Sequence, residues 1–238
     1  MSLKLCMPYD LYERHTVVRR LLHEAIGDGQ ENVRVLDVGG RAELLEQFVP
    51  YHVISVNVDG SGRVLGSGDA LPFGDGSFSA VVSIDTLEHV PQARRMLLLR
   101  ESVRVAQSCV VVAAPFGSEA HRAFEKRLDD VHRSVYGYPH AYLSEHVRYG
   151  LPGLDDMDQL TRGLDAAHVK RFFAGDYVWQ GEQFERAILA HRTRGWKRRL
   201  LNAYNQVTSL ALFHPIRLGT RPVARSNRFY LLIQKRQP

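Results

Sequence analysis

Asp37 sits near the end of the short apolar run Val33–Val38 and is followed by Gly39 and Gly40. A carboxylate ahead of two glycines can hold a ligand. Glycine has no Cβ to keep backbone N–H groups at a distance, and the acid accepts from a cationic or hydroxyl donor. A dinucleotide loop would carry a third glycine, but Arg41 and Ala42 stand there instead. The same pair of glycines would also serve a tight strand-to-helix turn with no ligand, and this stretch alone leaves both readings open.

Further along, His89 follows another apolar run and carries an imidazole able to titrate near neutral pH, so it is a candidate base. It could equally belong to a short structural turn, "LEHV", for which Asp85 or Thr86 would serve as a cap. His140, Tyr142, Glu145 and His146 lie in the aromatic and histidine-rich segment 137–152, read as a long connection and therefore as a candidate acceptor-binding element. No His, Cys or carboxylate set has metal-ligand spacing, so no metal is expected. The two cysteines, Cys6 and Cys109, are far apart, and Cys109 opens an apolar run that predicts a buried, reduced thiol.

These residues need a scaffold, and the hydrophobic periodicity describes one. Helical spacing predicts helices over Tyr9–Ile26, Ala42–Phe48, Gln92–Ala106, Glu119–Tyr136, Leu154–Leu164, Tyr177–His191 and Gly195–Phe213. The first is punctuated by Gly-Asp-Gly at 27–29. Strands are expected at Val33–Val38, His52–Val58, Ala80–Ile84, Val110–Ala114, His168–Phe173 and Arg228–Gln234. Strands alternating with helices imply parallel pairing with helices on both faces, an α/β fold. At 238 residues the chain suits one domain over 1–238, with a core of about 30–116 and additions over 117–238.

"VLDVGG" together with "GDALPFGDGSFSAVVSIDTLEHVP", Gly68 to Pro91, resembles the class I S-adenosylmethionine-dependent methyltransferases, in particular the small bacterial type with an acidic-Ala-Leu-Pro-Phe stretch. The resemblance runs from about Val33 to Ala114. It implies a Rossmann-like, seven-stranded, mostly parallel sheet whose last strand is antiparallel, with S-adenosylmethionine as cofactor. Asp37 would face the cofactor's methionine amino group, while Gly39 and Gly40 would let the backbone approach. The ribose-binding acid of the family aligns with Asn57, and Asp59 lies two residues on. Asn57 is preferred, since an amide both accepts and donates. Asp69 would accept from the adenine amine, Ala70 would donate its backbone N–H to the ring, and Leu71 would pack on it. Asp85 and Thr86 would line the cleft where sulfonium and acceptor meet. No fixed catalytic residue is implied. The segment "EHVRYGLP" at 145–152 also resembles a glycan-associated branch, which suggests a small-molecule or glycan-related acceptor.

Two other readings are weighed: a binding module on the same fold that has lost the cofactor, and a nicotinamide-dependent oxidoreductase. The second is disfavoured because no Gly-x-Gly-x-x-Gly occurs. The net charge of +5 is unevenly spread: twelve Lys or Arg and no acid lie from Arg186 to the end, so the rest of the chain is net acidic. The segment 192–228 is therefore a candidate for an anionic or membrane-surface contact. Trp196, Leu200, Tyr204, Val207 and Ala211 lie on one helical face there, which is either such a surface or part of the core. No nucleic-acid-binding pattern appears, so nucleic acid is an unlikely partner. Without an apolar signal segment or membrane-spanning run, a cytoplasmic location is expected.

Overall fold

Runs of Val, Ile and Leu with no intervening charge suit strands covered on both faces, and they form the middle of one sheet. The computed structural model describes residues 6–27, 32–164, 166 and 168–236. Its strands are β1 (Arg34–Val38), β2 (His52–Asn57), β3 (Val64–Leu65), β4 (Phe78–Ile84), β5 (Ala106–Pro115), β6 (His168–Ala174) and β7 (Arg228–Gln234), in the spatial order β3-β2-β1-β4-β5-β7-β6. All pair in parallel except β7, which runs antiparallel to both neighbours. The seven-stranded, mostly parallel sheet with an antiparallel last strand agrees with the expectation.

Alternate residues of the central strands feed two cores. On one face, α1 (Tyr9–Ile26) packs Val17, Val18, Leu21 and Leu22 against Val35, Val82, Cys109 and Val111. On the other, α2 (Gln92–Val105) and α5 (Leu154–Thr161) bring Leu98, Leu99 and Met157 to Leu36, Val81, Val110 and Val112. Cys109 is buried and unpaired, and burial pushes its thiol up to about 11, so it is inert. A layer formed by α3 (Glu119–Tyr136), α4 (Ala141–Tyr149) and α6 (Tyr177–Ala190) begins where β5 ends, with α3 packed on both α4 and α6. Among the described residues no helix is long and apolar enough to cross a membrane.

Several local expectations are corrected. The helix expected over Ala42–Phe48 shrinks to one 3₁₀ turn, Leu45–Gln47, because Glu43 takes a left-handed φ of 67° that no helix continues through. The two-residue β3 is added beside β2. The segment 137–152 is no open connection: Gly137, with φ 85°, ends α3, and the nine residues from Ala141 form α4, with His140 at its N-cap. The last helix, α7 (Gly195–Thr208), stops earlier than expected, and Ala211–Phe213 is a separate 3₁₀ turn. Gly27 caps α1 as its type predicts, while residues 28 and 29 of that punctuation lie outside the described residues.

The N-terminal helix is tied to the sheet by charge as well as packing. Arg228, on β7 and only 3% exposed, donates from Nε and Nη2 to both oxygens of Asp85, at 3.0 and 2.8 Å, and from Nη1 to Asp10 at 3.1 Å. Arg14 on α1 bridges the same two carboxylates. Burial alone would raise the Asp10 carboxyl, but Arg14 and Arg228 outweigh it and hold it at about 2. Arg228→Met would leave this group of acids with one cation fewer. It is expected to lower unfolding stability by about 3–5 kcal/mol, read from denaturant midpoints at constant m-value.

Candidate cofactor and acceptor site

The chain runs outward from β1 to β2 and β3, then crosses back to β4 and β5. The crevice beyond the C-terminal ends of β1 and β4 is therefore the switch point of the sheet, where open α/β folds bind ligands. Asp37, at the end of β1, is 3% exposed, and its Oδ1 has no hydrogen-bond partner among the described residues. Burial pushes this carboxyl up to about 7. An orphaned buried carboxylate oxygen at a switch point invites a donor from outside the chain. The two glycines are required by contact: a Cβ on Gly40 would lie 1.9 Å from Asp37 Oδ2, and one on Gly39 (φ 80°) would lie 2.1 Å from Thr86 Oγ1. Thr86 in turn donates to the carbonyl of Val38 or Ile84, each at 3.2 Å, which seats the turn after β4 against the glycine turn.

The second strand end brings Asn57 to the same edge. Its Nδ2 donates to the Gly39 carbonyl at 2.9 Å and to Ser61 Oγ at 3.1 Å, and Oδ1 is the acceptor atom of the side chain. Asp59 is exposed, and its Oδ1 accepts from the Ser61 N–H at 2.8 Å, the geometry of a self-closed turn. Asp69 is nearly buried and already paired with Arg94 and with the Ser67 hydroxyl. The Ala70 N–H, assigned to an adenine ring by the sequence, instead donates to the Ser67 carbonyl at 3.1 Å. The turn closed by Ser67 thus engages that amide. Leu71 is buried in the core beside Val56 and Leu98.

Beyond β4 the chain makes a 3₁₀ turn, Leu87–His89, and α4 packs on it. Asp85, at φ 49°, is held by Arg14 and Arg228 and so has little to offer a ligand. His89 Nδ1 lies 2.7 Å from Glu145 Oε2, and its ring contacts those of Tyr142 and His146. Burial, reinforced by His146, lowers the His89 pKa, so the ring is neutral at pH 7. His146 Nδ1 lies 3.0 Å from Glu125 Oε2. Glu125 then lines a cavity of about 190 Å³ between α3, α4 and α6, together with His121, His140 and Phe184. All four acceptor candidates therefore gather on α4 and its cap. Sequence reasoning missed Glu88, whose carboxyl is 1% exposed and is pushed up to about 8 by burial and by Asp85. It also missed Glu125. The adjacency of Glu88 to His89 was the one available signal.

A family model described as "Methyltransferase domain" matches residues 38–111, the span that contains the glycine turn, Asn57 and the turn after β4. Over that span the chain is similar to the methyltransferase family. S-adenosylmethionine is the methyl donor of that family. Among solved structures, YcgJ from Bacillus subtilis has a TM-score of 0.53 at 15% identity, over 94% of this chain and 100% of that one. A possible histamine N-methyltransferase from Thermotoga maritima gives 0.53 at 14%, over 95% and 96%. A phosphoethanolamine N-methyltransferase from Haemonchus contortus, solved with S-adenosyl-L-methionine, gives 0.51 at 13%, over 92% of this chain and 52% of its own. These likenesses show the fold. No curated protein matches the sequence.

The roles of Asn57 and Asp59 can be separated experimentally. Asn57→Ala is expected to weaken S-adenosylhomocysteine binding by about 1–2 kcal/mol, the worth of one or two hydrogen bonds, with Asp59→Ala close to wild type. The reverse pattern in calorimetric titrations would move the ribose contact to Asp59.

Proposed function

We propose that the protein transfers the methyl group of S-adenosylmethionine to a small-molecule or glycan-related acceptor. The acceptor would be bound between the turn after β4 and the α3–α4–α6 layer. The observation that carries this reading is the buried, unpartnered Oδ1 of Asp37 beside two glycines that admit no side chain. Asp37 holds the donor's ammonium, the Gly39–Gly40 backbone lies along its amino-acid portion, and Asn57 Oδ1 accepts from a ribose hydroxyl. Asp69 serves the adenine once Arg94, whose side chain is 59% exposed, gives way. Leu71 forms the floor. Bound there, S-adenosylmethionine supplies an activated methyl group for in-line displacement, so the chain's own task is positioning and exclusion of water. His89, neutral at pH 7, is placed to receive a proton from an acceptor hydroxyl or amine.

Titration calorimetry with S-adenosylmethionine and S-adenosylhomocysteine tests the reading. Micromolar binding of both is expected, weaker at pH 6 than at pH 8. Asp37 is held near 7 and is partly protonated at the lower pH, so it must release a proton to face an ammonium. No heat with either ligand, alongside binding of NAD, would overturn the assignment.

The basic segment supports a partner. Helix α7 buries none of its residues, and Trp196, Leu200, Tyr204 and Val207 on one face are each more than half exposed. Lys197, Arg198 and Arg199 lie near the start of the same helix. An exposed apolar stripe flanked by cations fits an anionic membrane surface, with the apolar residues entering the headgroup boundary. Wild-type protein should co-sediment with vesicles containing phosphatidylserine at 0.1 M salt. It should release at 1 M, where the screening length falls from ~10 Å to ~3 Å. A Lys197/Arg198/Arg199 triple Ala variant should remain in the supernatant. Equal sedimentation of the variant, or equal binding to neutral vesicles, would remove these three residues from any membrane site.

A further inference from the structure

Glu88, His89 and His146 each present one ligand-type atom to a common point, and these atoms lie within 4.8 Å of one another. We propose that the three side chains form a binding site for a single divalent transition-metal ion of the Zn²⁺ or Fe²⁺ class.

The orientation of the two imidazoles is the first reason. Each has its Nδ1 against a carboxylate, His89 on Glu145 at 2.7 Å and His146 on Glu125 at 3.0 Å. A carboxylate at Nδ1 fixes the N–H there and turns the Nε2 lone pair inward. That is the arrangement in which outer-shell acids orient metal-bound histidines. The second reason is what the inward atoms lack. His146 Nε2 and Glu88 Oε2 are both buried and have no hydrogen-bond partner among the described residues. The nearest approach of His89 Nε2 to the Glu88 carboxylate is 4.0 Å, too long for a hydrogen bond. Buried polar atoms in a folded chain are nearly always satisfied. Two unsatisfied atoms from different elements, with a third acceptor beside them, mark a position that a cation would complete.

The ligand set decides the kind of ion. Two imidazole nitrogens and one carboxylate suit zinc or non-haem iron, whereas calcium and magnesium prefer all-oxygen shells. Bonds of about 2.0–2.2 Å to such an ion would draw the three atoms closer together. Three protein ligands leave coordination positions open, as in catalytic rather than purely structural sites. Glu88 and His89 belong to the turn after β4, His146 to α4 and Glu125 to α3. The ion would therefore clamp the acceptor-side helices to the edge of the sheet. With the ion bound, His89 Nε2 is a ligand and no longer a free base.

The test uses untagged, full-length protein treated with EDTA and then titrated with Co²⁺ and Zn²⁺. Wild type is expected to take up one equivalent of Co²⁺ with visible absorption bands, to lose them to Zn²⁺, and to melt at a higher temperature with either ion, since an ion bound only by the folded chain stabilises it. Glu88→Gln and His146→Ala should each weaken uptake at least tenfold. Glu125→Gln should weaken it by roughly 10–100-fold, the usual effect of removing an outer-shell partner. His52→Ala, at a distant surface, should bind like wild type. Binding can be read whether or not S-adenosylmethionine binds, so failure here and failure of the proposed function are separable. Wild type that takes up no Co²⁺ and shows no thermal shift would overturn the proposal. So would uptake unchanged in folded Glu88→Gln and His146→Ala proteins.

Discussion

The bidentate pair between Arg228 and Asp85 is the contact on which the site depends. Removing a guanidinium from water costs several kcal/mol even after relaxation, and only close carboxylates with good geometry offset it. Here Asp85 and Asp10 supply them, with Arg14 spanning the same two acids. With Asp10 and Arg14, the pair joins three elements distant in sequence: the start of α1, the end of β4 and the start of β7. It also holds Asp85 at a φ of 49°, a conformation few non-glycine residues adopt without outside support. From that fixed residue the chain turns so that Thr86 reaches the glycine turn of β1 and Glu88 points inward beneath α4.

A second constraint is the desolvation of acids. Asp37, Glu13 and Glu88 are all buried, and burial raises the pKa of each. Glu13 is partly satisfied, since Tyr230 donates to its Oε1 at 2.7 Å. Its Oε2, like Asp37 Oδ1 and Glu88 Oε2, has no hydrogen-bond partner among the described residues. The last two lie on either side of the switch point, one at the end of β1 and one just past β4. On the proposed function, the β1 side would take the cationic, hydroxyl-rich donor molecule and the side past β4 the acceptor.

Much of this was legible in the sequence where local chemistry dictates structure. Val110–Ala114 has the composition of a strand buried on both faces, and Asp37 with Gly39 and Gly40 marked a tight turn at a strand end, with or without a ligand. The turn chemistry of Asp59 and the strand-end position of Asn57 were also local. What stayed hidden depends on tertiary contact. Ala42–Phe48 has helical spacing, but the left-handed Glu43 stops the helix. Segment 137–152 hides a helix behind Gly137 and Pro139. Glu88, Glu125 and His146 become neighbours only when α4 lies on both α3 and the turn after β4, so no spacing rule could bring them together. The stripe from Trp196 to Val207 has a spacing equally suited to a core or a surface, and only the packing of α7 distinguishes them.

The most direct measurement is a crystal structure of the protein with S-adenosylhomocysteine. The ligand's amino group is expected in hydrogen-bond contact with Asp37 Oδ1, its amino-acid chain along Gly39 and Gly40, and a ribose hydroxyl on Asn57 Oδ1. A ligand bound elsewhere, or one that leaves Asp37 Oδ1 without a partner, would contradict this arrangement.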